Sequence, residues 1–297
     1  MTAVELMNVT KKYHKHLALN GLDVNIKKDV MTGVIGRNGV GKTTMMKMIA
    51  GFVQETSGTI RVFGESPFNN LTVSANVLFV DDAMQFAQTM SLHDILKECK
   101  RFYPNWDHAL ADRLVQYFGF HLDARHRYLS KGKKNTFNAI IGIAARCALT
   151  LFDEPITGMD AGVRKDFYRA LLKDYIAHPR TILLSSHHFE EMEDLLEDVL
   201  IIQNGKAHFH GSVTELQEML ISLKGNGEIL ASAAAGKTVV YQQKSGPYTE
   251  WLVENTFTAA ELDRLKSKRV IATPVSANSA YLALTEQRTG GIDDVFA

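Results

Sequence analysis

Nine consecutive residues, Gly36-Arg37-Asn38-Gly39-Val40-Gly41-Lys42-Thr43-Thr44, have the types and spacing to grip a chain of phosphates. They read G-x-x-x-x-G-K-T. Glycines let the backbone curl so that successive N–H groups point inward and form a nest for anionic oxygens. A helix starting at the end of such a loop adds its partial positive charge. Lys42 can then reach the β- and γ-phosphates, and the Thr43 hydroxyl can ligate Mg²⁺. A second constellation is an apolar run, Leu149-Thr150-Leu151-Phe152, that ends in Asp153-Glu154-Pro155. Asp153 can hold the metal shell and Glu154 can polarise an attacking water. Alone, these carboxylates also fit a solvated acidic turn; downstream of a phosphate loop they point to nucleotide hydrolysis. His187, after the apolar run 181–185, can donate to a γ-phosphate or cap the next helix. Tyr13, among Lys11, Lys12, His14, Lys15 and His16, can stack on an adenine ring or be a surface tyrosine among lysines.

These groups need elements that carry them to one place. Residues 30–35 are an apolar run suited to a buried strand, and 45–50 suit a helix, which is the context the loop requires. Residues 4–9 and 22–26 alternate as strands joined by a polar loop that bears Tyr13. Further strands are expected at 57–64 and 77–80. Ser91 caps a helix, Pro104 interrupts the pattern, and Asp107 restarts it, so that about 85–148 reads as a helical insertion ending in a helix through Cys147. A helix over 164–177 and the strand 181–185 follow. A closing hairpin is expected around Asn204-Gly205. Ser212-Val213-Thr214-Glu215 is a capping box that opens a helix to about Lys224.

Composition narrows the function classes. The chain has 297 residues, with 33 lysines and arginines against 33 aspartates and glutamates. A formal charge of zero gives no bulk attraction for nucleic acid, which is not an expected partner. Two cysteines, Cys99 and Cys147, are too few for a disulfide framework and fit a reducing cytosol. The N-terminus lacks the basic-then-apolar pattern of a signal peptide. No apolar run reaches the ~20 residues of a membrane span, since Arg146 interrupts the closest one. Any transport role therefore requires a separate membrane-embedded subunit.

The order of these features resembles the ATP-binding subunits of ABC transporters over roughly residues 3–222. Residues 36–44 resemble Walker A, and 149–154 resemble Walker B with its catalytic glutamate, Glu154. Leu129-Ser130-Lys131-Gly132-Lys133 resembles the LSGGQ signature, Thr157-Gly158-Met159-Asp160 the D-loop, and His187 the switch histidine. Tyr13 falls at the adenine-stacking position. The resemblance implies an α/β, P-loop NTPase fold: an ABC ATPase core with an antiparallel β subdomain and a helical subdomain. It implies ATP and Mg²⁺ as cofactors, the metal held by Thr43 and Asp153. It also implies a homodimer, or a heterodimer with a second ABC ATPase, in which Ser130, Lys131 and Gly132 of one protomer close over the other's γ-phosphate and Asp160 communicates across the interface. The dimer would drive an integral membrane permease from the cytoplasmic face of the cell membrane.

The chain departs from the family pattern in the signature, where Lys131 and Lys133 stand at the third and fifth positions of LSGGQ, and in the Q-loop. Lys131 replaces the first glycine of the signature. Asp82 stands where glutamine is common in the Q-loop, and an aspartate there can still ligate Mg²⁺. The Lys-Gly-Lys signature and Phe102-Tyr103-Pro104-Asn105-Trp106-Asp107 are similar to a bacterial subgroup of YtrB-type subunits and phenol-soluble-modulin exporters, which implies export of peptides or envelope-active compounds. The aromatic segment itself reads equally as a packed proline kink or as a surface meeting the membrane partner. A soluble ABC-type ATPase, or a nucleotide-gated regulatory module without transport, is the competing reading. Residues 223–297 lie outside the ATPase pattern. They read as a linker at Gly225-Asn226-Gly227, then a small α+β appendage with strands at 228–232, 238–242, 249–253 and 269–272 and helices at 259–266 and 277–287, then a mobile tail from Thr289.

Overall fold

The computed structural model describes residues 1–245 and 248–285. The chain divides into two compact units, Met1–His210 and Gly211–Ala297.

The first unit opens with a long hairpin, β1 (Thr2–Tyr13) and β2 (His16–Lys27). The expected polar loop shrinks to a turn at His14-Lys15, because the polar residues on either side continue the strand ladder and pair Tyr13 with His16. The hairpin's alternating apolar side chains point into a core with Met45, Met46, Met48 and Ile49. Next come β3 (Met31–Ile35), α1 (Lys42–Ile49), β4 (Ser57–Val62), α2 (Leu71–Asn76) and β5 (Val77–Val80). Strand β4 pairs with β1 and completes a three-stranded antiparallel sheet in the order β2-β1-β4.

The helical insertion holds α3 (Leu92–Phe102), α4 (His108–Tyr117) and α5 (Lys131–Ala145). Ser91 and Asp94 form a reciprocal capping box on α3, and the Asp107 side chain caps α4, as the residue types dictate. Strand β6 (Leu149–Asp153), α6 (Ala161–Ala177), β7 (Thr181–Ser186), β8 (Asp198–Gln203) and β9 (Lys206–Ser212) follow. They join β3 and β5 in a six-stranded sheet ordered β5-β6-β7-β3-β8-β9. Every residue of β3, β6 and β7 is buried, as expected of parallel strands covered on both faces. Parallel pairing aligns the carboxyl ends of β3, β6 and β7 along one edge, where ligands of open α/β sheets bind.

In the second unit the sequence-based expectations need correcting. The capping box at Ser212 and Glu215 forms, but α7 (Val213–Glu218) ends early, because Leu220, Ile221 and Leu223 enter a sheet as β10 (Leu220–Gly225). Gly225-Asn226-Gly227 is not a linker: Gly225 pairs with Thr249, and the Asn226 side chain caps a helix. That helix, α8 (Gly227–Ala233), replaces the strand expected at 228–232; it buries Leu230, and its alanines favour a helix. Strands β11 (Val239–Ser245) and β12 (Tyr248–Glu254), α9 (Ala259–Ser267), β13 (Ile271–Pro274) and α10 (Ala277–Thr285) complete the unit, with sheet order β11-β12-β10-β13. Since β10 lies between β12 and β13, residues before 222 belong with the C-terminal part, and the division falls after His210 rather than after residue 222. The tail from Thr289, and the end of the helix expected at 277–287, lie outside the described residues.

Candidate functional site

The chemistry-bearing residues gather at the carboxyl ends of β3, β6 and β7. Loop 36–44 leaves β3 and turns into α1. Gly41 takes φ 110°, and a Cβ there would lie 2.5 Å from the Ala18 carbonyl oxygen, so this turn admits only glycine. The Lys42 side chain is 5% exposed and folds back along the loop. Its Nζ donates to the carbonyls of Gly36 at 2.6 Å and Arg37 at 3.3 Å.

Strand β6 delivers Asp153, 7% exposed, to the same place. Its Oδ2 accepts from the Thr43 hydroxyl at 2.6 Å and its Oδ1 from the Ser185 hydroxyl at 2.7 Å. Thr43 and Asp153 thus present adjoining hard oxygens, the donor type that a small divalent cation takes.

Glu154 follows with φ 48°, a left-handed conformation costly for a non-glycine residue. Its amide donates to Ser185 Oγ at 3.0 Å. Its carboxylate stands between two cation-forming groups: Oε1 lies 3.3 Å from Lys42 Nζ, an ion-pair contact without hydrogen-bond geometry, and Oε2 lies 2.8 Å from His187 Nδ1. An ionised carboxylate can only accept, so Nδ1 is the protonated ring nitrogen there.

A concavity of about 200 Å³ is bordered by Tyr13, Arg37, Asn38, Gly39, Gly41, Lys42, Thr43, Thr44 and Glu154, and also by His16. Tyr13 is exposed at the end of β1, with Lys11 Nζ 4.9 Å from its ring centroid. Val40 contacts the position of Gly36 rather than this space, with Cγ2 2.8 Å from where a Cβ on Gly36 would sit.

Ser130, Lys131, Gly132 and Asp160 form a second, separate cluster. Ser130 caps α5 by accepting from the Lys133 amide. Ser130, Gly132, Gly158 and Asp160 border a concavity of about 100 Å³. The turn at 130–132 and the segment 157–160 are in backbone contact: a Cβ on Gly132 would lie 2.0 Å from the Gly158 carbonyl oxygen, so the approach requires glycine. Asn135 Nδ2 donates to the Thr157 carbonyl at 2.6 Å and fastens the two segments.

Asp82 is not where a metal ligand is expected. It is exposed, does not border the loop's concavity, and places Oδ2 2.9 Å from Lys131 Nζ, because that cation attracts its carboxylate. Of the two aspartates after β5, Asp81 is the half-buried one. Burial raises its carboxyl above the usual range, Lys47 at 4.0 Å opposes this, and the charges of Asp153 and Asp82 reinforce it.

Sequence reasoning missed Ser185, His16 and Asp81. The available signal for Ser185 was a hydroxyl directly after the aliphatic run Ile182-Leu183-Leu184, and its partner follows from the parallel register that sets Asp153 beside Ser185.

Comparison with known proteins agrees with this geometry. The ABC transporter family model matches residues 19–157. The chain is 27% identical over 221 residues to the ABC transporter ATP-binding protein YtrB of Bacillus subtilis, covering 74% of this chain and 76% of that one. It is 26% identical over 218 residues to the bacitracin transport ATP-binding protein BcrA of Enterococcus faecalis, covering 72% and 71%. The fold matches a solved ATP-binding subunit of an ABC transporter with TM-score 0.65 at 22% identity, covering 73% of this chain and 92% of that one. The phosphate loop and the acidic strand end fall inside the matched segment and His187 lies beyond it; with the bacterial relatives, the match identifies an ABC transporter ATP-binding domain, of the ATPase class, in this chain.

Proposed function

We propose that this chain dimerises on MgATP and drives a separate integral membrane permease, at the cytoplasmic face of the membrane, as an exporter of peptides or envelope-active compounds. The observation that carries this reading is the division of the ATPase machinery. Residues of loop 36–44 and Glu154 border one concavity, with Asp153 bonded to Thr43 and His187 to Glu154 beside it, while Ser130, Gly132 and Asp160 border another. A second protomer, identical or related, supplies the missing half. Thr43 and Asp153 hold the metal, which supplies Lewis acidity at the phosphate oxygens when bound. Tyr13 stacks on the adenine. Glu154 orients the attacking water, and His187 donates to the γ-phosphate as charge develops there. The Glu154 carboxylate contacts both Lys42 and His187, so a nucleotide that engages those two groups must compete with it.

A groove of about 830 Å³, lined by Phe52, Leu71, Phe79, Asp81, Phe102 and Tyr103 among others, supports a permease contact. Phe102 is 74% exposed and Leu71 88%, so large apolar side chains stand in solvent at its rim. One relative is a bacitracin transport ATP-binding protein, and bacitracin is a peptide, which supports the peptide class.

The test is Glu154→Gln. The variant should form a dimer when ATP is added, seen by size-exclusion chromatography, with turnover at least ~100-fold below the parent. It should also retain an integral membrane protein in detergent pull-downs. Parental hydrolysis by the variant, or a monomer in saturating ATP, refutes the reading.

A further inference from the structure

Two of the three positions at which this chain leaves the family pattern, Asp82 and Lys131, touch each other. Lys131 stands third in the signature turn and Asp82 follows β5, far away in sequence, yet Lys131 Nζ lies 2.9 Å from Asp82 Oδ2. The Lys131 stem runs over the D-loop, with Cγ 3.6 Å from the position of a Cβ on Gly158. One side chain therefore bridges three segments that ATP-driven closure has to coordinate.

The electrostatics of α5 explain why Lys131 needs a partner. The first turn of this helix carries Lys131, Lys133 and Lys134 and no acidic residue. Cations at a helix N-terminus oppose the helix dipole, so an arrangement of this kind is unfavourable until anionic or polar groups compensate it. Lys133 is taken up by the Gly119 carbonyl at 3.1 Å and the Phe120 ring at 4.9 Å. Lys131 is taken up by Asp82. Both members of the pair are more than half exposed, at 60% and 52%, so the contact is weak and easily exchanged. A contact broken in every catalytic cycle has to be of this kind.

We propose that Asp82 is a positioning residue that holds Lys131 in the resting subunit and yields it, on closure, to the γ-phosphate of the partner protomer's ATP. This rests on the dimeric reading above. The triphosphate outcompetes Asp82 because it carries more charge at a single point. The holding group also sits next to the groove: Asp81, Ala83 and Met84, which flank Asp82, line the apolar groove assigned to the permease. A permease segment that displaces this loop moves the carboxylate from Lys131 and frees the cation for the partner's nucleotide.

A double-mutant cycle tests the pair. Asp82→Asn, Lys131→Met and the double variant are made in the Glu154→Gln background, and ATP-driven dimerisation is followed by analytical ultracentrifugation at low and high salt. Asp82→Asn should lower the ATP concentration for half-maximal dimer about two- to fivefold, the range set by an exposed ion pair. Lys131→Met should raise that concentration. In the Lys131→Met background, Asp82→Asn should have no effect, and at high salt its effect should fade. An unchanged midpoint for Asp82→Asn, or an equal shift with and without Lys131, overturns the proposal. If the Glu154→Gln parent itself fails to dimerise, the dimeric reading falls and this one with it. If the parent dimerises and Asp82→Asn is silent, this proposal alone fails.

Discussion

Replacing Ser185 by alanine should damage both the fold and the metal site, in amounts that follow from its bonds. The side chain is fully buried. Its hydroxyl donates to Asp153 Oδ1 at 2.7 Å and accepts the Glu154 amide at 3.0 Å. The first bond is to a charged group, and such bonds contribute about 1.5–3 kcal/mol; the second, neutral bond contributes about 0.5–1.5 kcal/mol. The loss should therefore come to about 2–4 kcal/mol, since no water-sized group replaces the hydroxyl. For a unit of this size that corresponds to a fall in Tm of roughly 4–16 °C. Function should suffer further, because Asp153 keeps only its Thr43 tether and Glu154 is freed to leave its left-handed backbone conformation. Losing a hydrogen bond behind a metal-binding carboxylate typically costs about 10–100-fold in activity or metal affinity. The assay is steady-state ATP hydrolysis with Mg²⁺ titrated, beside a thermal melt. Ser186→Ala is the control, because that hydroxyl accepts from the His188 amide and does not touch Asp153 or Glu154 among the described residues, and it should leave the Mg²⁺ midpoint unchanged. A Ser185→Ala protein with parental kcat, parental Mg²⁺ midpoint and parental Tm would refute the reasoning.

Two further perturbations probe the scaffold. Asp174 is buried, and its carboxylate binds Arg146 at 2.7 Å and Arg180 at 2.8 Å; Arg146 keeps Asp107 at 3.1 Å, so Asp174→Ala strands chiefly the buried Arg180 and should cost about 3–5 kcal/mol in urea unfolding, and a loss under ~1 kcal/mol contradicts that. Burial lowers the pKa of His126 from its ordinary 6.5, with the Asn138 bond at 2.9 Å only partly opposing, so the unfolded chain binds this proton more readily than the folded one. Stability should hold above pH ~6.5 and fall as the pH drops toward the folded value, and His126→Gln should flatten that part of the melting profile; a parental slope in the variant removes His126 as the cause.

The site was legible in the sequence wherever function depends on local order. Loop 36–44 carries its own geometry, because glycine positions, a lysine and a hydroxyl act through adjacent backbone. Asp153 and Glu154 were legible because a continuous apolar run marks a buried parallel strand, and polar residues at its end must face the sheet's ligand edge. What stayed hidden is set between elements. Ser185 acquires its role only from the register of β6 against β7. The C-terminal unit misled for another reason. Residues 228–232 mix an acidic, two branched or apolar and two small residues in a stretch too short for periodicity to separate helix from strand, and the deciding feature is the Asn226 cap before them.

Asp82 shows the limit most sharply. Judged against a motif, a carboxylate in the Q-loop adds a negative charge beside a triphosphate, and a lysine in the signature adds a positive one, so each looks like an isolated departure. Placed 2.9 Å apart, the two opposite charges offset each other in part. Each then perturbs the local field less than it would alone, until something separates them. A motif compares positions one at a time and treats each mismatch as a loss. Contact between two mismatched positions makes them one exchange, and whatever separates the pair creates the charge that the motif positions alone seem to carry permanently.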